Sequence, residues 1–236
     1  MNSNKVVVFD LDETLGYFTE LGIFIDAFEN WINKSISRPL FYQICDLYAP
    51  FYLRPHIFYI LRYLKEKKKA GICSKVMIYT NNNGARRWVL SIKSYLEHKL
   101  NYKLFDRIIS AYKVNNQQIE KCRTSYDKSY KDLLACSRIS QNTKVCFFDD
   151  TLHPRMMHNN VFYIQMKPYK HKVPFKRLVD IFLKSKLSKF IKDPTQFTQW
   201  VMRHMKNNWN RGGESYLPST EKKKIIDKLH YFFYKF

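Results

Sequence analysis

The chain has 236 residues, a length typical of one domain or of one domain with a modest extension. Hydrophobic residues make up 45% of it and aromatic residues 17%, so a sizeable core can be buried and wholesale disorder is not expected. Lys and Arg number 41 against 20 Asp and Glu, and the resulting net charge of +21 favours a polyanionic partner or substrate. Nucleic acid, a phosphoprotein and an acidic membrane surface all meet that description.

The number of cysteines and the hydropathy of the chain indicate in which cellular compartment it is expected. Its 5 cysteines are an odd number without a C-x-x-C pair, which argues against a disulfide scaffold and a structural zinc site. We therefore expect reduced, mostly buried thiols and a cytoplasmic or nuclear location. The apolar run that starts at Lys5 is interrupted by Asp10 and Asp12, unlike a signal peptide. No apolar run reaches the length of about 18 residues that a membrane span needs.

Apolar runs of strand length alternate with helical patterns along the first two thirds of the chain. The first run, Lys5–Phe9, is rich in β-branched residues and is typical of a buried central strand in a parallel sheet. Four further runs are Val76–Tyr79, Arg107–Ile109, Lys144–Phe148 and Val161–Gln165. The alternation predicts an α/β protein, a Rossmann-like three-layer α/β/α fold with a central parallel sheet.

Two segments lie outside this alternation. Residues 16–52 separate the first strand from the first long helix, and the tail after about residue 186 has two helical patterns, beginning at Asp193 and near Thr220. We therefore expect an α/β domain at 1–186, in which 16–52 forms a small helical flap, and a helical extension at 187–236.

Two acidic pairs follow buried strands. Asp10 and Asp12 come directly after the first strand, and Asp149 and Asp150 end the fourth. Ligands of parallel α/β sheets bind at the carboxyl ends of the strands, where such pairs can converge on a hard cation such as Mg²⁺. A solvated Asp-rich turn is the alternative, but two adjacent carboxylates repel unless a cation or a function compensates.

Two weaker signals lie between the acidic pairs. Thr80 and Asn81 follow the second strand and can hold a phosphate oxygen, although the same residues also suit an ordinary loop. Lys131 lies in a helix predicted at about Ser125–Ala135, and one lysine among many carries little information by itself.

The order of these signals resembles the four motifs of the haloacid dehalogenase superfamily. D-x-D-x-T stands at Asp10–Thr14, and Thr80, Lys131 and the Asp149-Asp150 pair follow in the expected order. Leu53-Arg54-Pro55-His56 and Lys131-Asp132-Leu133 are similar to segments of the RNA polymerase II carboxy-terminal-domain phosphatases and NLI-interacting-factor-like proteins. The resemblance covers about residues 5–180. That group usually has Asp-Asn where this chain has Asp-Asp.

The resemblance implies a role for each matched residue. Asp10 would be the nucleophile that forms an aspartyl-phosphate, and Asp12 the general acid and then the base, with its backbone carbonyl on Mg²⁺. Lys131 would compensate the charge of the attacking carboxylate, and Thr80 would bind the transferring phosphoryl group.

The remaining matched residues would serve the metal and the substrate. Asp150 would be a side-chain ligand of Mg²⁺, and Asp149 a ligand through water or a neighbour that fixes Lys131. Asn81 and Thr14 would contact the substrate or support a ligand.

Chain length between the motifs bears on the substrate. The residues between Thr80 and Lys131 are all needed for predicted helices and a strand, so a large cap does not fit there and an open cleft is expected. An open cleft favours a phosphate on a macromolecule. The basic stretch Lys167–Lys192 has interleaved aromatic residues and suits either an electrostatic track or a solvated face with its aromatics in the core.

Three functions remain open on these grounds. The favoured one is a Mg²⁺-dependent phosphomonoesterase acting on phosphoserine or phosphothreonine in a protein. A polynucleotide-end phosphatase is the alternative, since a net charge of +21 also suits DNA or RNA. The third is a non-catalytic module that binds phosphate or nucleic acid on the same fold.

Overall fold

A computed structural model describes residues 4–82, 84, 86–208 and 222–236, and its centre is a five-stranded parallel sheet flanked by helices. The strands are β1 (Lys5–Phe9), β2 (Lys75–Tyr79), β3 (Phe105–Ile109), β4 (Lys113–Val114), β5 (Gln117–Gln118), β6 (Lys144–Asp149) and β7 (Val161–Gln165). The helices are α1 (Thr19–Trp31), α2 (Arg38–Tyr52), α3 (Ile57–Lys69), α4 (Arg86–Leu100), α5 (Tyr130–Ser137), α6 (Phe175–Leu183), α7 (Pro194–Asn208) and α8 (Lys222–Tyr234). The expected Rossmann-like three-layer α/β/α fold is confirmed, and all five predicted strands form the sheet.

The sheet has the strand order β3-β2-β1-β6-β7, which makes β1 the central strand. Its three valines are fully buried because helices cover both faces of the sheet, as the unbroken apolar run predicts. Phe9 pairs with Ile78 of β2 and Phe148 of β6. This register brings the residues that follow Phe9 level with the ends of the two neighbouring strands.

A small hairpin, β4 with β5, lies outside the main sheet and was not predicted from the sequence. It consists of two residues on each side, joined by Asn115 and Asn116 in the left-handed region at φ of 49° and 61°. Asn is among the few residues that adopt this region readily, and two such residues make the tight turn of a two-residue hairpin.

The chain divides into two compact units, and the division differs from the expected boundary at 186/187. One unit consists of Met1–Leu15, Pro55–Pro168 and Pro218–Phe236 and contains the sheet. The other consists of Gly16–Arg54 and Tyr169–Leu217 and is helical. Residues 16–52 are therefore not a separate flap of the α/β domain, because they share a core with α6 and α7. The two helices expected in the tail are present, but they belong to different units.

Aromatic side chains form the core of the helical unit. Phe28 of α1 lies 5.0 Å from Phe182 and 6.3 Å from Phe197, measured between ring centroids. Trp200 on α7 donates a hydrogen bond from Nε1 to the carbonyl of Ala27, at 3.0 Å. Of the aromatics in the basic stretch, Tyr169, Phe175 and Phe182 are buried and Phe190 is 39% exposed. The stretch is thus mainly a solvated face with its aromatics in the core.

The last helix, α8, is fixed to the start of β1 in the sheet unit. Lys5 donates from Nζ to the carbonyls of Phe232 and Phe233, at 3.0 and 2.7 Å, so a cation satisfies carbonyls in the last turns of the helix. The predicted start of this helix near Thr220 lies outside the described residues. Across the described ranges, no helix combines the length and apolar character needed to span a membrane.

One cysteine pair corrects the expectation of five reduced thiols. Cys122 and Cys136 form a disulfide, whereas Cys45, Cys73 and Cys146 are free and buried. The expectation was based on the odd number of cysteines and the absence of a C-x-x-C pair. The two cysteines meet at a separation of 14 residues because the loop before α5 folds back onto that helix.

Reduction of this disulfide is expected to destabilise the protein. Closing a loop of this length contributes about 3 kcal/mol, chiefly by restricting the unfolded chain. A reductant should therefore lower the midpoint of thermal unfolding by several degrees, measured by circular dichroism. The Cys122→Ser/Cys136→Ser double variant should unfold at the lower midpoint with or without reductant. Equal midpoints for the oxidised and reduced wild type would contradict this expectation.

Candidate active site

Carboxylates from the central strands meet at one edge of the sheet. Asp10 follows β1, and its backbone N–H donates to the carbonyl of Phe148 on β6 at 2.8 Å, which continues the strand pairing by one residue. Asp149 is the last residue of β6, and Asp150 follows it. Carboxylate oxygens of Asp10, Asp149 and Asp150 lie within 4.8 Å of one another. The structure thus brings one member of the first acidic pair to both members of the second.

The lysine at this edge is Lys128, not Lys131. Nζ of Lys128 lies 2.5 Å from Oδ1 of Asp10 and 2.7 Å from Oδ2 of Asp149, and the side chain is 2% exposed. Lys131 is exposed to solvent on α5. The expectation that Lys131 meets the aspartates is therefore wrong by three residues.

The start of α5 explains the error. Ser129 is the N-cap, and its hydroxyl accepts a hydrogen bond from the backbone N–H of Asp132 at 3.1 Å. Within the helix, Tyr130 and Leu133 face the core, and helical periodicity then turns Lys131 towards solvent. Lys128 precedes the cap and extends towards the sheet. The spacing Ser129-x-x-Asp132 is a recognisable capping signal and indicates the correct helix start.

Opposing electrostatic effects act on the buried lysine and its two partners. Burial raises the pKa of Asp10 to about 7, against the attraction of Lys128. Burial also opposes ionisation of Asp149, but the hydrogen bond from His153 and the charge of Lys128 hold its pKa below the ordinary value. Lys128 keeps a raised pKa in spite of burial because two carboxylates face it. Lys128 and Asp149 therefore form a persistent ion pair, and Asp10 is the carboxylate most in need of further positive charge.

Asp12 is held by Asn82, a residue outside the predicted site. Nδ2 of Asn82 donates to Oδ2 of Asp12 at 2.7 Å, whereas Oδ1 of Asp12 is buried and has no hydrogen-bond partner within the part of the chain that the structure describes. Burial raises the pKa of Asp12, and the hydrogen bond from Asn82 only partly opposes this. Asp12 therefore combines a raised pKa with one oxygen held by Asn82 and a second oxygen that has no hydrogen-bond partner among the described residues.

The turn after β2 determines which asparagine faces inwards. Thr80 is buried, and its Oγ1 accepts a hydrogen bond from the backbone N–H of Asn82 at 2.9 Å. This local turn points Asn82 towards Asp12 and leaves Asn81 exposed. Of the two predicted phosphate-binding residues, Thr80 thus lies at this edge of the sheet, whereas Asn82 rather than Asn81 contacts an aspartate.

Thr14 connects the two acidic motifs. Its hydroxyl donates to Oδ1 of Asp150 at 3.1 Å and accepts from the backbone N–H of Asp150 at the same distance. Burial, followed by the nearby charge of Asp149, raises the pKa of Asp150. The predicted supporting role of Thr14 therefore has a specific geometry, since it orients the carboxylate of Asp150.

Arg123 is a buried cation that organises the loop before α5. Its guanidinium donates to the carbonyls of Ser110 and Tyr126, at 3.0 and 2.9 Å, and also to the carbonyl of Thr80 at 3.3 Å. The guanidinium carbon lies 4.9 Å from the centre of the Tyr79 ring. Arg123 therefore connects the loop that carries Lys128 to the ends of β2 and β3.

His153 and Asp127 lie beside the aspartates. His153 follows the second acidic pair in the sequence and was expected to be an ordinary loop histidine, and Asp127 was not expected at the site. Nδ1 of His153 lies 2.6 Å from Oδ1 of Asp127, and Nε2 lies 3.5 Å from Oδ2 of Asp149. Burial disfavours the charged ring, but hydrogen bonds to Asp149 and Asp127 raise its pKa. No spacing in the sequence indicates this contact, because it depends on how two loops meet in space.

The arrangement fits a hard divalent cation with oxygen ligands. Carboxylates of Asp10, Asp149 and Asp150 are close enough to share one ion. Four aspartates lie at this edge, and burial raises the pKa of Asp10, Asp12 and Asp150, so their ionised forms are incompletely compensated. The unpartnered buried oxygen of Asp12 is a further sign of incomplete compensation. A bound cation would lower the cost of keeping Asp10 ionised.

Comparison with known proteins adds no family assignment to this geometry. No protein-family model matches the sequence, and no curated protein matches it either. The site is therefore interpreted from its own residues: a buried carboxylate beside a buried lysine, a second acidic pair, and a carboxyl group with a raised pKa next to them.

Proposed function

We propose that the protein is a Mg²⁺-dependent phosphomonoesterase that forms an aspartyl-phosphate on Asp10. The observation that carries this proposal is the contact of Asp10 with Lys128 at the end of the central strand, within reach of Asp149 and Asp150. An anionic nucleophile can approach an anionic phosphate only where positive charge is already in place. The ordered motifs that resemble the haloacid dehalogenase superfamily support the same chemistry.

In the first step, a carboxylate oxygen of Asp10 attacks phosphorus. A bond forms between that oxygen and phosphorus, while the bond from phosphorus to the ester oxygen breaks. Asp12 gives its proton to the departing oxygen, for which its raised pKa suits it. Lys128 takes the role that the resemblance implied for Lys131, and its ammonium balances the charge that builds up around the phosphoryl group.

In the second step, water attacks the phosphorus of the aspartyl-phosphate. Asp12, now ionised, accepts a proton from that water, and the phosphorus–oxygen bond to Asp10 breaks to release phosphate. Asp10, Asp149 and Asp150, with the backbone carbonyl of Asp12, would hold Mg²⁺. The bound ion supplies positive charge that reduces repulsion between the carboxylate and the phosphate.

Replacing the general acid is expected to affect substrates unequally. Asp12→Asn should slow turnover of phosphoserine esters by roughly 10²–10⁴-fold, because an alkoxide leaves poorly without a proton. The phenolate of an aryl phosphate with an acidic leaving group departs without being protonated. Formation of the phosphoenzyme from this substrate should therefore be slowed much less. With this substrate the variant should show a burst of phenol release followed by slow turnover, since hydrolysis of the phosphoenzyme still needs the base. Equal losses on both substrates without a burst would refute the role of Asp12.

A phosphate on a macromolecule is the proposed substrate, with phosphoserine or phosphothreonine in a protein favoured. A polynucleotide end is the second candidate, and the net charge of +21 is the observation that favours it. Side-by-side assays of phosphopeptides and of 3′- or 5′-phosphorylated oligonucleotides test the choice. Activity on oligonucleotides that falls steeply with added salt would support the polynucleotide. Binding of these ligands without phosphate release, with Mg²⁺ present, would instead support a non-catalytic module.

A further inference from the structure

We infer that His153 and Asp127 form a brace that positions Lys128 and Asp149 for the reaction. This inference rests on the proposed function and adds two positioning residues to it. Neither residue is placed to contact phosphorus, and both act through the ion pair between Lys128 and Asp149.

The imidazole of His153 connects the two halves of that ion pair. Its Nδ1 lies 2.6 Å from Oδ1 of Asp127, the residue directly before Lys128, and its Nε2 lies 3.5 Å from Oδ2 of Asp149. The same Oδ2 of Asp149 accepts from Nζ of Lys128 at 2.7 Å. The ring therefore ties the loop that carries the lysine to the end of β6, which carries its carboxylate partner.

The brace is itself anchored to the sheet. The backbone N–H of His153 donates to the hydroxyl of Tyr163 on β7 at 3.3 Å, and that hydroxyl donates to the carbonyl of Thr151 at 2.6 Å. His153 is 7% exposed, so solvent competes little for its contacts. A second connection between the same loops runs from Arg155 to the hydroxyl of Ser125, at 3.0 Å.

The loop needs such support because Lys128 is not part of a regular element. Lys128 lies just before the N-cap of α5, where no helical hydrogen bond restrains it. Its ammonium must nevertheless stay within hydrogen-bond distance of Asp10 during the reaction. A displacement of a catalytic group by about 1 Å can cost about 10²-fold in rate, so a brace on the preceding residue has a direct catalytic consequence.

Two variants and one matched control test the brace. His153→Ala should lower kcat on a phosphopeptide by roughly 10–100-fold with little change in KM, because substrate binding does not depend on the ring. His153→Gln, which keeps a hydrogen-bond donor, should recover part of that loss. His158→Ala is the control: its ring stacks on Tyr130 at a centroid distance of 4.1 Å, on the surface of the same unit, and the variant should keep the wild-type kcat.

A double-variant cycle separates positioning from general destabilisation. If Asp127 and His153 act as one unit, Asp127→Asn combined with His153→Ala should lose no more kcat than the stronger single variant. Losses in kcat that multiply would overturn the brace, as would a His153→Ala variant with the wild-type kcat.

A measurement without turnover keeps this inference distinct from the proposed function. Hydrogen exchange of the His153→Ala protein should be faster in residues 123–128, with the strands of the sheet unchanged. Unchanged exchange in that loop would overturn the brace whatever the activity. Faster exchange in a protein whose wild type releases no phosphate would support the brace and refute the phosphatase.

Discussion

Replacing Asp10 by asparagine is expected to abolish phosphate release. The carboxamide fills the same space but is not a nucleophile, so kcat should fall on the order of 10⁴-fold or more, to the background of the assay. Burial raises the pKa of Asp10 to about 7, so a neutral carboxamide removes a carboxylate that is costly to keep ionised. Asp149 remains as the partner of Lys128, and folding should therefore not suffer. The measurement is Mg²⁺-dependent turnover of an aryl phosphate by wild type and variant, with thermal unfolding recorded for both.

A matched substitution serves as the control for the Asp10→Asn variant. Asp227→Asn makes the same chemical change at an exposed position on α8 in the sheet unit and should leave turnover unaffected. Substantial activity in the Asp10→Asn protein, in a preparation free of contaminating phosphatase, would mean that another group attacks phosphorus.

The second large effect is expected from a pair of lysines three residues apart. Lys128→Met should lower kcat by roughly 10²–10³-fold, because the ammonium beside Asp10 no longer balances the charge that develops on the phosphoryl group. Lys131→Met should retain wild-type kcat, since Lys131 is exposed on α5. Steady-state turnover of the same aryl phosphate measures both variants.

Thermal unfolding of the Lys128→Met and Lys131→Met proteins has to be measured together with their activity. Lys128→Met leaves two buried carboxylates without their cation, and loss of a buried partner costs about 3–5 kcal/mol. Lys128→Arg keeps the charge and provides a folded comparison, but its planar fork cannot reproduce the point contact of an ammonium, so it should recover only part of the activity. A severe loss in Lys131→Met with normal turnover in Lys128→Met would contradict the placement of the lysine.

Strand positions could be predicted because each follows from local pattern. Val6–Phe9 and Val145–Phe148 are unbroken apolar runs that are buried throughout, a pattern typical of strands covered on both faces. The acidic residues at their ends could then be placed at one edge, because parallel strands end together. That part of the site follows from chain direction and register alone.

The remaining parts of the site depend on loop geometry, which neither the hydrophobic periodicity nor the spacing of motifs in the sequence determines. Lys128 and Lys131 differ by less than one helical turn, and the choice between them depends on the helix start at Ser129. Asn82 rather than Asn81 faces Asp12 because of one side-chain hydrogen bond in a turn. His153 contacts a residue 26 positions away, and no local pattern predicts such a contact.

The domain boundary was missed for a related reason. The expectation treated residues 16–52 and the tail as separate additions, because they are far apart in the sequence. In the structure, Phe28 and Trp31 of α1 contact Phe197 on α7, with ring centroids 6.3 and 5.6 Å apart. Burial of aromatic surface is non-directional and can join any two amphipathic segments, so their pairing is not visible in either segment alone.

Chemical trapping of the phosphoenzyme tests the central claim most directly. Borohydride reduces an acyl phosphate to an alcohol, so quenching the enzyme during turnover and then reducing it should convert Asp10, and no other aspartate, to homoserine. Peptide mass spectrometry of the digested protein identifies the residue, and the Asp10→Asn variant should give no conversion. Turnover with no conversion at Asp10 under the same quench, or conversion at another residue, would contradict an aspartyl-phosphate on Asp10.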